Sequence, residues 1–489
     1  MPRSHRFLLL ALALGSVLLT ALARHHGFFW DAVLQASRYA QWYYQHGLQR
    51  PVLPAEFDAG HPPLFGLALA GVWRLFGPSV AVSHWAMLPL VLGTLWQLYR
   101  LVRRFLPAAW VLPGLLLVWL DATWLAQSTL VSPDVAVTFC YLLALNGLLA
   151  RRPGQTAAGT APLVLLSTRG LLLWAALGLT ALLLRWPEWW PRRAAEGKRR
   201  FDLTVRTLLA LIWPLLPALL LAAGWLGLHY CLTGWVGYNP DSPWAGNYQR
   251  LGPAGVLRNV VIIGWRLVDN GRLTLWLVGA VAAGLLWRGG WRPGPRTGQL
   301  LALWLPPVLI MSGLMVWYAN PIGHRYYLPA LLLLALLVAH LLAELAALPR
   351  PSARGLPRIL AALALLGLLS GHCWVYPDRI ANGWDASLAH WPYFRLRQQS
   401  IAWLDAQGIP LGTVGSSFPN AYPLHDVDLT GDARRFAPVD LRRNRYVLQS
   451  NVMNFGDAAL DSLQQYWHLR HEERAGQVYF RLYEVRGDR

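Results

Sequence analysis

The chain has 489 residues, of which 55% are hydrophobic and 14% are charged, and its mean hydropathy is +0.34. Soluble domains carry about 25% charged residues, so this composition excludes an ordinary soluble protein. The formal charge of +19 comes mostly from arginines in short segments between apolar runs. That placement is typical of membrane-topology signals, and no nucleic-acid partner is expected. The three cysteines are scattered, which supports neither a disulfide framework nor a zinc site.

Apolar runs predict about eleven transmembrane helices, because about 20 residues are needed to cross a bilayer. The first run, residues 7–22, follows Arg3 and Arg6, and we interpret it as a retained span with a cytoplasmic N-terminus rather than a signal peptide. Residues 62–76 form a shorter run with Arg74, which predicts an interfacial helix on the outer surface. Later spans are predicted near residues 80–99, 108–125, 157–167, 208–230 and 359–375, with others between them. Residues 235–272 are predicted to form a long outer loop.

With this assignment, the basic clusters fall on one side of the membrane. They are Arg100 to Arg104, Arg151-Arg152, Arg192 to Arg200, Arg288 to Arg296, and Arg350 with Arg354. The positive-inside rule makes that side cytoplasmic. Residues 1–375 are thus predicted to be an all-α transmembrane domain, and residues 376–489 a small extracytoplasmic α/β domain. In the latter, residues 394–406 read as an amphipathic helix, and 445–449 and 477–485 alternate as strands do.

Polar residues that carry chemistry lie at the outer ends of the predicted spans. Asp31 follows Phe28-Phe29-Trp30 and is either a helix N-cap or a general base for an acceptor hydroxyl. His61 stands in Gly60-His61-Pro62-Pro63, at a helix start where an imidazole can donate to a phosphate oxygen. Asp58, three residues earlier, is expected to orient His61.

Further charged residues follow in the later outer loops. Arg169 interrupts an apolar stretch, which predicts a turn at the outer surface, a phosphate-binding cation, or both. Arg325 precedes Tyr326 at the mouth of a span and is a second candidate cation, or an anchor in an aromatic belt. Asp134 supplies an acid in the second outer loop. Asp121 would lie roughly 20 Å deeper along a straight helix, as a functional acid or as a partner within the bundle.

Four segments together resemble the integral-membrane GT-C glycosyltransferases, specifically glycosyltransferase family 39, which includes protein O-mannosyltransferases and lipid A aminoarabinose transferases. They are Trp30-Asp31, Asp58-Ala59-Gly60-His61-Pro62-Pro63-Leu64, Ser132-Pro133-Asp134 and Arg325-Tyr326-Tyr327-Leu328-Pro329. The resemblance covers roughly residues 7–347, and the Gly-His-Pro-Pro-Leu group is its most specific part. It implies a GT-C fold, a polyprenyl-phosphate-linked sugar donor and an extracytoplasmic active site.

The resemblance also implies roles for single residues. Asp31 matches the catalytic or acceptor-orienting acid of the first loop, and Asp134 matches the acid of the second outer loop. His61 stands where relatives carry a Lys or His near the donor phosphate, and Arg169 and Arg325 match cationic positions around the lipid phosphate. Many relatives have Asp-Glu at the first acid, whereas Ala follows Asp31 here. Metal dependence and the kind of acceptor therefore stay open, and a divalent metal is one option.

The sequence thus predicts a glycosyltransferase of the bacterial inner (plasma) membrane, surrounded by membrane lipids. It would transfer a hexosyl or pentosyl group from a polyprenyl-phosphate donor to an extracytoplasmic lipid, glycan or protein. Two alternatives stay open. A transporter or flippase of lipid-linked sugars is expected to show inverted repeats and helices broken at the midplane, neither of which is visible in the sequence. A surface-glycan polymerase or ligase uses a similar class of donor.

Overall fold

The structure is a computed structural model that describes residues 2–55, 57–189, 212–237, 245–320, 322–348 and 355–486. A bundle of helices precedes a smaller region built around a five-stranded sheet. The helices of the bundle are α1 (Arg3–Ala23), α2 (Tyr39–His46), α3 (Leu64–Phe76), α4 (Val80–Phe105), α5 (Val111–Trp119), α6 (Ala122–Ser128), α7 (Pro133–Leu149), α8 (Pro153–Leu166), α9 (Thr168–Trp189), α10 (Leu216–Thr233), α11 (Pro253–Val268), α12 (Arg272–Arg288), α13 (Pro295–Met315), α14 (Leu328–Ala346) and α15 (Leu356–Ser370). The predicted basic clusters at 192–200 and at 350 and 354 lie outside the described residues.

The bundle has the helices of a polytopic membrane protein. Within the described residues, six helices are long and apolar enough to cross a membrane, or up to eight if each of two bent pairs forms one span. The described structure therefore supports fewer spans than the predicted eleven, and that count stays a prediction. The helix α14 lies at the centre, where almost all of its side chains are buried against α5, α12, α13 and α15.

The predicted straight span over residues 108–125 is wrong. The helical segment Ala108–Trp119 and the next helix, α6, meet at a bend of 66°. Asp121 causes the break, because its carboxylate accepts hydrogen bonds from the amides of Thr123 and Trp124 at 3.0 and 3.1 Å and so caps α6. A side chain that starts a new helix cannot continue the preceding one, and Asp121 therefore does not lie on a straight helix that leads towards Asp134.

The predicted loop over residues 235–272 is also partly wrong, because it contains the 16-residue helix α11. Pro253 opens this helix at a position that suits its fixed φ angle. The buried Asn259 anchors this helix to the C-terminal end of α13. Its side-chain amide donates to the backbone oxygen of Met315, the last residue of α13, at 3.3 Å and to that of Tyr318 at 2.9 Å. The aromatic residues at 238–244 lie outside the described residues.

The turn expected around Arg169 is confirmed. Helices α8 and α9 are separated at Ser167, which has an extended backbone. Gly170 is required there, because a Cβ atom on it would lie 1.9 Å from the backbone oxygen of Leu163. The short helix α3 meets α4 at a bend of 119° and is too short to cross a bilayer alone. Its interfacial location remains a prediction.

The region after the bundle confirms a helix and two strands expected from the sequence. It contains α16 (Pro392–Ala406), α17 (Leu424–Asp428), α18 (Asp457–Tyr466), β1 (Val414–Ser416), β2 (Ala437–Pro438), β3 (Tyr446–Ser450), β4 (Trp467–Ala475) and β5 (Val478–Val485). The sheet order is β2-β1-β3-β5-β4. Strand β1 is parallel to both of its neighbours, whereas β5 is antiparallel to β3 and β4.

The sheet region packs directly on the first outer loop. Phe29 is buried in the core of this region, with its ring 5.3 Å from that of Tyr393 and 5.5 Å from that of Phe394. The amide of Phe28 donates to the backbone oxygen of Val427 at 2.8 Å. The loop that carries Asp31 is thus held between the bundle and the sheet region.

Candidate active site

Asp31 stands at a strained point of the first outer loop. The preceding residue, Trp30, has φ +52°, a left-handed conformation that non-glycine residues seldom adopt. A π-helical turn, Val33–Arg38, follows immediately, and such turns are frequent at functional sites. The carboxylate of Asp31 forms a short ion pair with Arg325. The N-cap interpretation would instead place this carboxylate on a backbone amide at the start of a helix.

Arg325 is the hub of the site. Its Nη1 donates to Asp385 Oδ2 at 2.6 Å, its Nη2 donates to Asp31, and its Nε lies 3.4 Å from Asp134 Oδ2. The Arg325 side chain is 11% exposed. Three carboxylates from three parts of the chain therefore converge on one largely buried guanidinium.

Arg169 joins the same cluster from the first turn of α9. Its Nη1 lies 2.8 Å from Asp134 Oδ1 and its Nη2 3.4 Å from Asp134 Oδ2. Its guanidinium carbon also lies 4.3 Å from the centre of the Tyr326 ring, and that of Arg325 lies 5.5 Å from the same ring. Tyr326 thus contributes its aromatic face to both cations. With two guanidiniums and three carboxylates, the cluster carries a formal charge of −1.

His61 lies beside this cluster. Its Nε2 is 3.0 Å from Gln35 Nε2, and its Nδ1 is 3.3 Å from Thr168 Oγ1. Burial, and then the charges of Arg169 and Arg325, lower the pKa of His61 to about 3. His61 is therefore neutral near pH 7 and adds no positive charge. Its Nε2 accepts from the Gln35 amide, so Nδ1 is its one donor, and it faces Thr168 Oγ1.

Asp58 does not orient His61 as the sequence led us to expect. Its Oδ2 lies 2.8 Å from His229 Nε2, and its Oδ1 accepts from the amide of Gly60 at 2.7 Å. Gly60 has φ +74°, and a Cβ atom on it would lie 2.4 Å from the backbone oxygen of Gly237. This tight turn directs Asp58 and His61 to different partners. Asp58 therefore links the first outer loop to α10.

Two acids that the sequence did not single out lie at this site: Asp385 contacts Arg325, and Asp269 contacts the preceding residue, His324. Asp385 lies in the segment after the last helix of the bundle, where Gly383 packs so closely on His324 that a Cβ atom would be 2.4 Å from its Nδ1. Asp269 holds His324 at 2.8 Å and accepts from the Tyr376 hydroxyl at 2.6 Å. Burial alone would raise the pKa of Asp269, but these hydrogen bonds outweigh burial and lower the pKa below its usual range. The sequence signal for Asp269 was its position at the end of the predicted loop 235–272, whereas Asp385 lies ten residues beyond the last predicted span, 359–375.

Asp121 has a structural partner. Arg272, which is fully buried, donates to its two carboxylate oxygens at 2.7 and 2.9 Å and to Thr123 Oγ1 at 2.5 Å. This contact favours the second interpretation of Asp121, hydrogen bonding within the bundle. The ion pair joins the start of α6 to the start of α12.

A small cavity lies against Asp31, Asp134 and Arg325, with Gln35 and Gln127 on its walls. It offers a carboxylate and a guanidinium at one place, which suits a hydroxyl that loses a proton beside a phosphate that gains charge. In the part of the chain that the structure describes, no group of three or more His, Cys, Asp and Glu side chains has a metal-binding arrangement.

The architecture is similar to that of a solved structure. No protein-family profile matches the chain, and no curated protein matches it. The crystal structure of ArnT from Cupriavidus metallidurans bound to undecaprenyl phosphate is similar over 99% of this chain and 98% of that chain, with a TM-score of 0.50 and 14% identity. The chain shares the fold of this structure.

Two further solved structures are less similar to the chain. The apo structure of the same ArnT gives a TM-score of 0.48 at 14% identity, over 98% of both chains. The arabinofuranosyltransferase AftD from Mycobacteria gives a TM-score of 0.45 at 14% identity, over 98% of this chain and 40% of that chain. In the present protein, the sheet region supplies Asp385 to the cluster that the bundle supplies with Arg169 and Arg325.

Proposed function

We propose that the protein is an integral-membrane glycosyltransferase that moves a sugar from a polyprenyl-phosphate donor to an extracytoplasmic acceptor. The observation that carries this proposal is the largely buried cluster of Asp31, Asp134, Arg169 and Arg325, which joins two carboxylates to two guanidiniums. All of these except Arg169 line one small cavity. The fold shared with the ArnT structure supports the proposal, and so does the undecaprenyl phosphate bound by that structure.

The cations suit the leaving group of this reaction. A polyprenyl-phosphate sugar is a phosphodiester with one negative charge. When the bond between the sugar C1 and the phosphate oxygen breaks, the leaving phosphate monoester gains a second charge, since its second pKa is about 6. Arg169 and Arg325 would stabilise this developing charge with bidentate hydrogen bonds. Neutral His61 would donate its Nδ1–H to a phosphate oxygen in exchange for its present contact with Thr168 Oγ1.

Asp31 suits the acceptor side. In an inverting displacement, the acceptor oxygen attacks the sugar C1 as the phosphate leaves from the opposite face, and the acceptor proton passes to a base. Asp31 is the most exposed of the carboxylates on Arg325, with 21% of its side chain accessible against 14% for Asp385 and 6% for Asp134. A donor phosphate on Arg325 would replace Asp31 and leave it free to accept the proton.

The regions of the chain have separate roles in this proposal. Residues 1–375 form the transmembrane glycosyltransferase domain. Residues 376–489 form an extracytoplasmic domain that closes one side of the site, and the contact of Asp385 with Arg325 supports this arrangement. We place the N-terminus in the cytoplasm and the protein in the bacterial inner membrane.

The decisive experiment incubates the purified full-length protein, in proteoliposomes, with a panel of radiolabelled polyprenyl-phosphate sugars and candidate lipid, glycan and protein acceptors. We expect label on one acceptor class and release of the unglycosylated polyprenyl phosphate. Movement of an intact donor between leaflets, without cleavage for any member of the panel, would overturn the proposal in favour of a flippase. Product mass then identifies the sugar and separates addition of one sugar from transfer of a polymer.

A further inference from the structure

A second cavity, of about 770 Å³, lies far from the candidate active site. Arg151 and Arg152 line it directly after the C-terminal end of α7, whereas Asp134 lies in the first turn of the same helix. The helix has 17 residues, a length of about 25 Å. The cavity therefore opens at the opposite end of the bundle, where the sequence places the cytoplasmic surface.

The charge around this cavity has one sign. Arg104, Arg151, Arg152 and Arg185 contribute from the ends of four helices, and no acid is among the described residues that line it. Arginines that act only as topology signals need to lie in cytoplasmic loops. That role does not require them to line a shared cavity. Their convergence on one half-open cavity points to an anion.

The rest of the wall is apolar. Leu148, Leu184 and Leu216 line the cavity together with Trp213, which is 70% exposed. A free phosphate ion would bind the guanidiniums but would gain nothing from the apolar wall. A lipid with a phosphate headgroup would contact both the arginines and the apolar wall. The volume lies in the range of about 300–1,000 Å³ that is typical of ligand pockets.

We propose that this cavity binds an anionic phospholipid of the adjacent membrane leaflet. The phosphodiester would contact Arg104 and Arg152, and the first part of an acyl chain would lie against the leucines. Basic pockets between transmembrane helices on the cytoplasmic side are suited to such headgroups. The inference does not depend on the proposed glycosyl transfer, because no residue of the Arg325 cluster lines this cavity.

The test compares two double variants with equal loss of charge. Arg104→Gln with Arg152→Gln removes two cavity arginines. The matched control, Arg288→Gln with Arg292→Gln, removes two exposed arginines from a basic helix end that does not line the cavity. Delipidated protein is titrated with phosphatidylglycerol, and bound lipid is counted by native mass spectrometry. Each lost arginine near a headgroup should cost about fivefold in affinity, so we expect a loss of at least tenfold for the cavity pair and less than twofold for the control.

Two further arms decide the ligand and exclude misfolding. The charge-keeping pair Arg104→Lys with Arg152→Lys should recover most of the binding, and phosphatidylcholine should not bind in the cavity. Displacement of phosphatidylglycerol by millimolar inorganic phosphate would overturn the lipid assignment in favour of a phosphate site. Tighter binding of undecaprenyl phosphate than of phosphatidylglycerol would overturn it in favour of a polyprenyl site. Equal losses in the cavity and control pairs would show that no built site exists.

Discussion

The replacement Asp31→Asn tests the proposed chemistry most directly. It keeps the size of the side chain and removes its charge and its capacity to accept a proton. General-base catalysis contributes roughly 10²- to 10⁴-fold to a rate, so we expect kcat to fall by that factor. Binding of undecaprenyl phosphate should stay equal or become tighter, because the carboxylate that competes for Arg325 is gone.

The structure also sets the expected change in stability. Arg325 keeps Asp385 at 2.6 Å and Asp134 at 3.4 Å when Asp31 is neutral. The free energy of unfolding should therefore fall by an amount near the roughly 0.2–1 kcal/mol of a partly exposed ion pair. This is far below the roughly 3–5 kcal/mol lost when a buried pair is broken. A thermal melt in detergent checks that Asp31→Asn unfolds within a few degrees of the unaltered protein.

Two controls separate a base from a residue that only holds Arg325. Asp385→Asn also removes one carboxylate from Arg325 but leaves Asp31 in place, so it should lower kcat much less. Asp461→Asn removes an exposed ion pair with Arg379, outside the cluster, and should change neither kcat nor binding. Equal losses of kcat for Asp31→Asn and Asp385→Asn would refute the base assignment, and full activity of Asp31→Asn would refute any catalytic role.

Three further predictions address the remaining residues. Arg325→Lys keeps the charge but loses the bidentate fork, so binding of undecaprenyl phosphate, measured by titration, should weaken by about tenfold or more; unchanged binding would remove Arg325 from the phosphate site. Asp121→Ala leaves the fully buried Arg272 without its carboxylate, so the free energy of unfolding should fall by about 3–5 kcal/mol, while the specific activity of the folded fraction stays within about twofold; an unaltered melting temperature would contradict this. His61, with a pKa lowered to about 3 by burial and by Arg169 and Arg325, stays neutral in the folded protein and is protonated near pH 6.5 only when unfolded. Protonation of His61 in the unfolded chain therefore lowers the free energy of unfolding as the pH falls from about 6.5 towards 3. His61→Gln should reduce that acid sensitivity in melts between pH 7 and 4, and should leave the shape of the pH–rate profile unchanged above pH 5. An acid limb near pH 6 that disappears in His61→Gln would show instead that His61 titrates during catalysis.

Much of the candidate site was accessible from the sequence because a membrane restricts the chain. Spans need about 20 apolar residues, so polar residues accumulate at span ends, and alternate ends share a side. That reasoning assigned Asp31, Asp134, Arg169 and Arg325 to one end of the bundle, and the structure joins them in one cluster. It also predicted the turn at Arg169.

The failures share a different cause, which is that they depend on partners distant in sequence. Asp121 was assigned to a straight helix because nothing nearby in the sequence shows Arg272, whose ion pair holds the broken helix in place. Asp58 was paired with its neighbour His61, although the turn at Gly60 directs it to His229. In both cases side-chain direction depends on backbone torsions that composition does not specify.

By itself, the sequence determined the membrane class, the positions of most helices and the residue types at the outer ends, because hydropathy and charge act locally along the chain. Only the tertiary structure decided which of these charges meet. It placed Asp385 of the sheet region on Arg325, left His61 neutral, and gathered the arginines of four helix ends around one cavity. These outcomes depend on packing between elements far apart in the chain, where a shift of a few ångströms decides whether two charges pair.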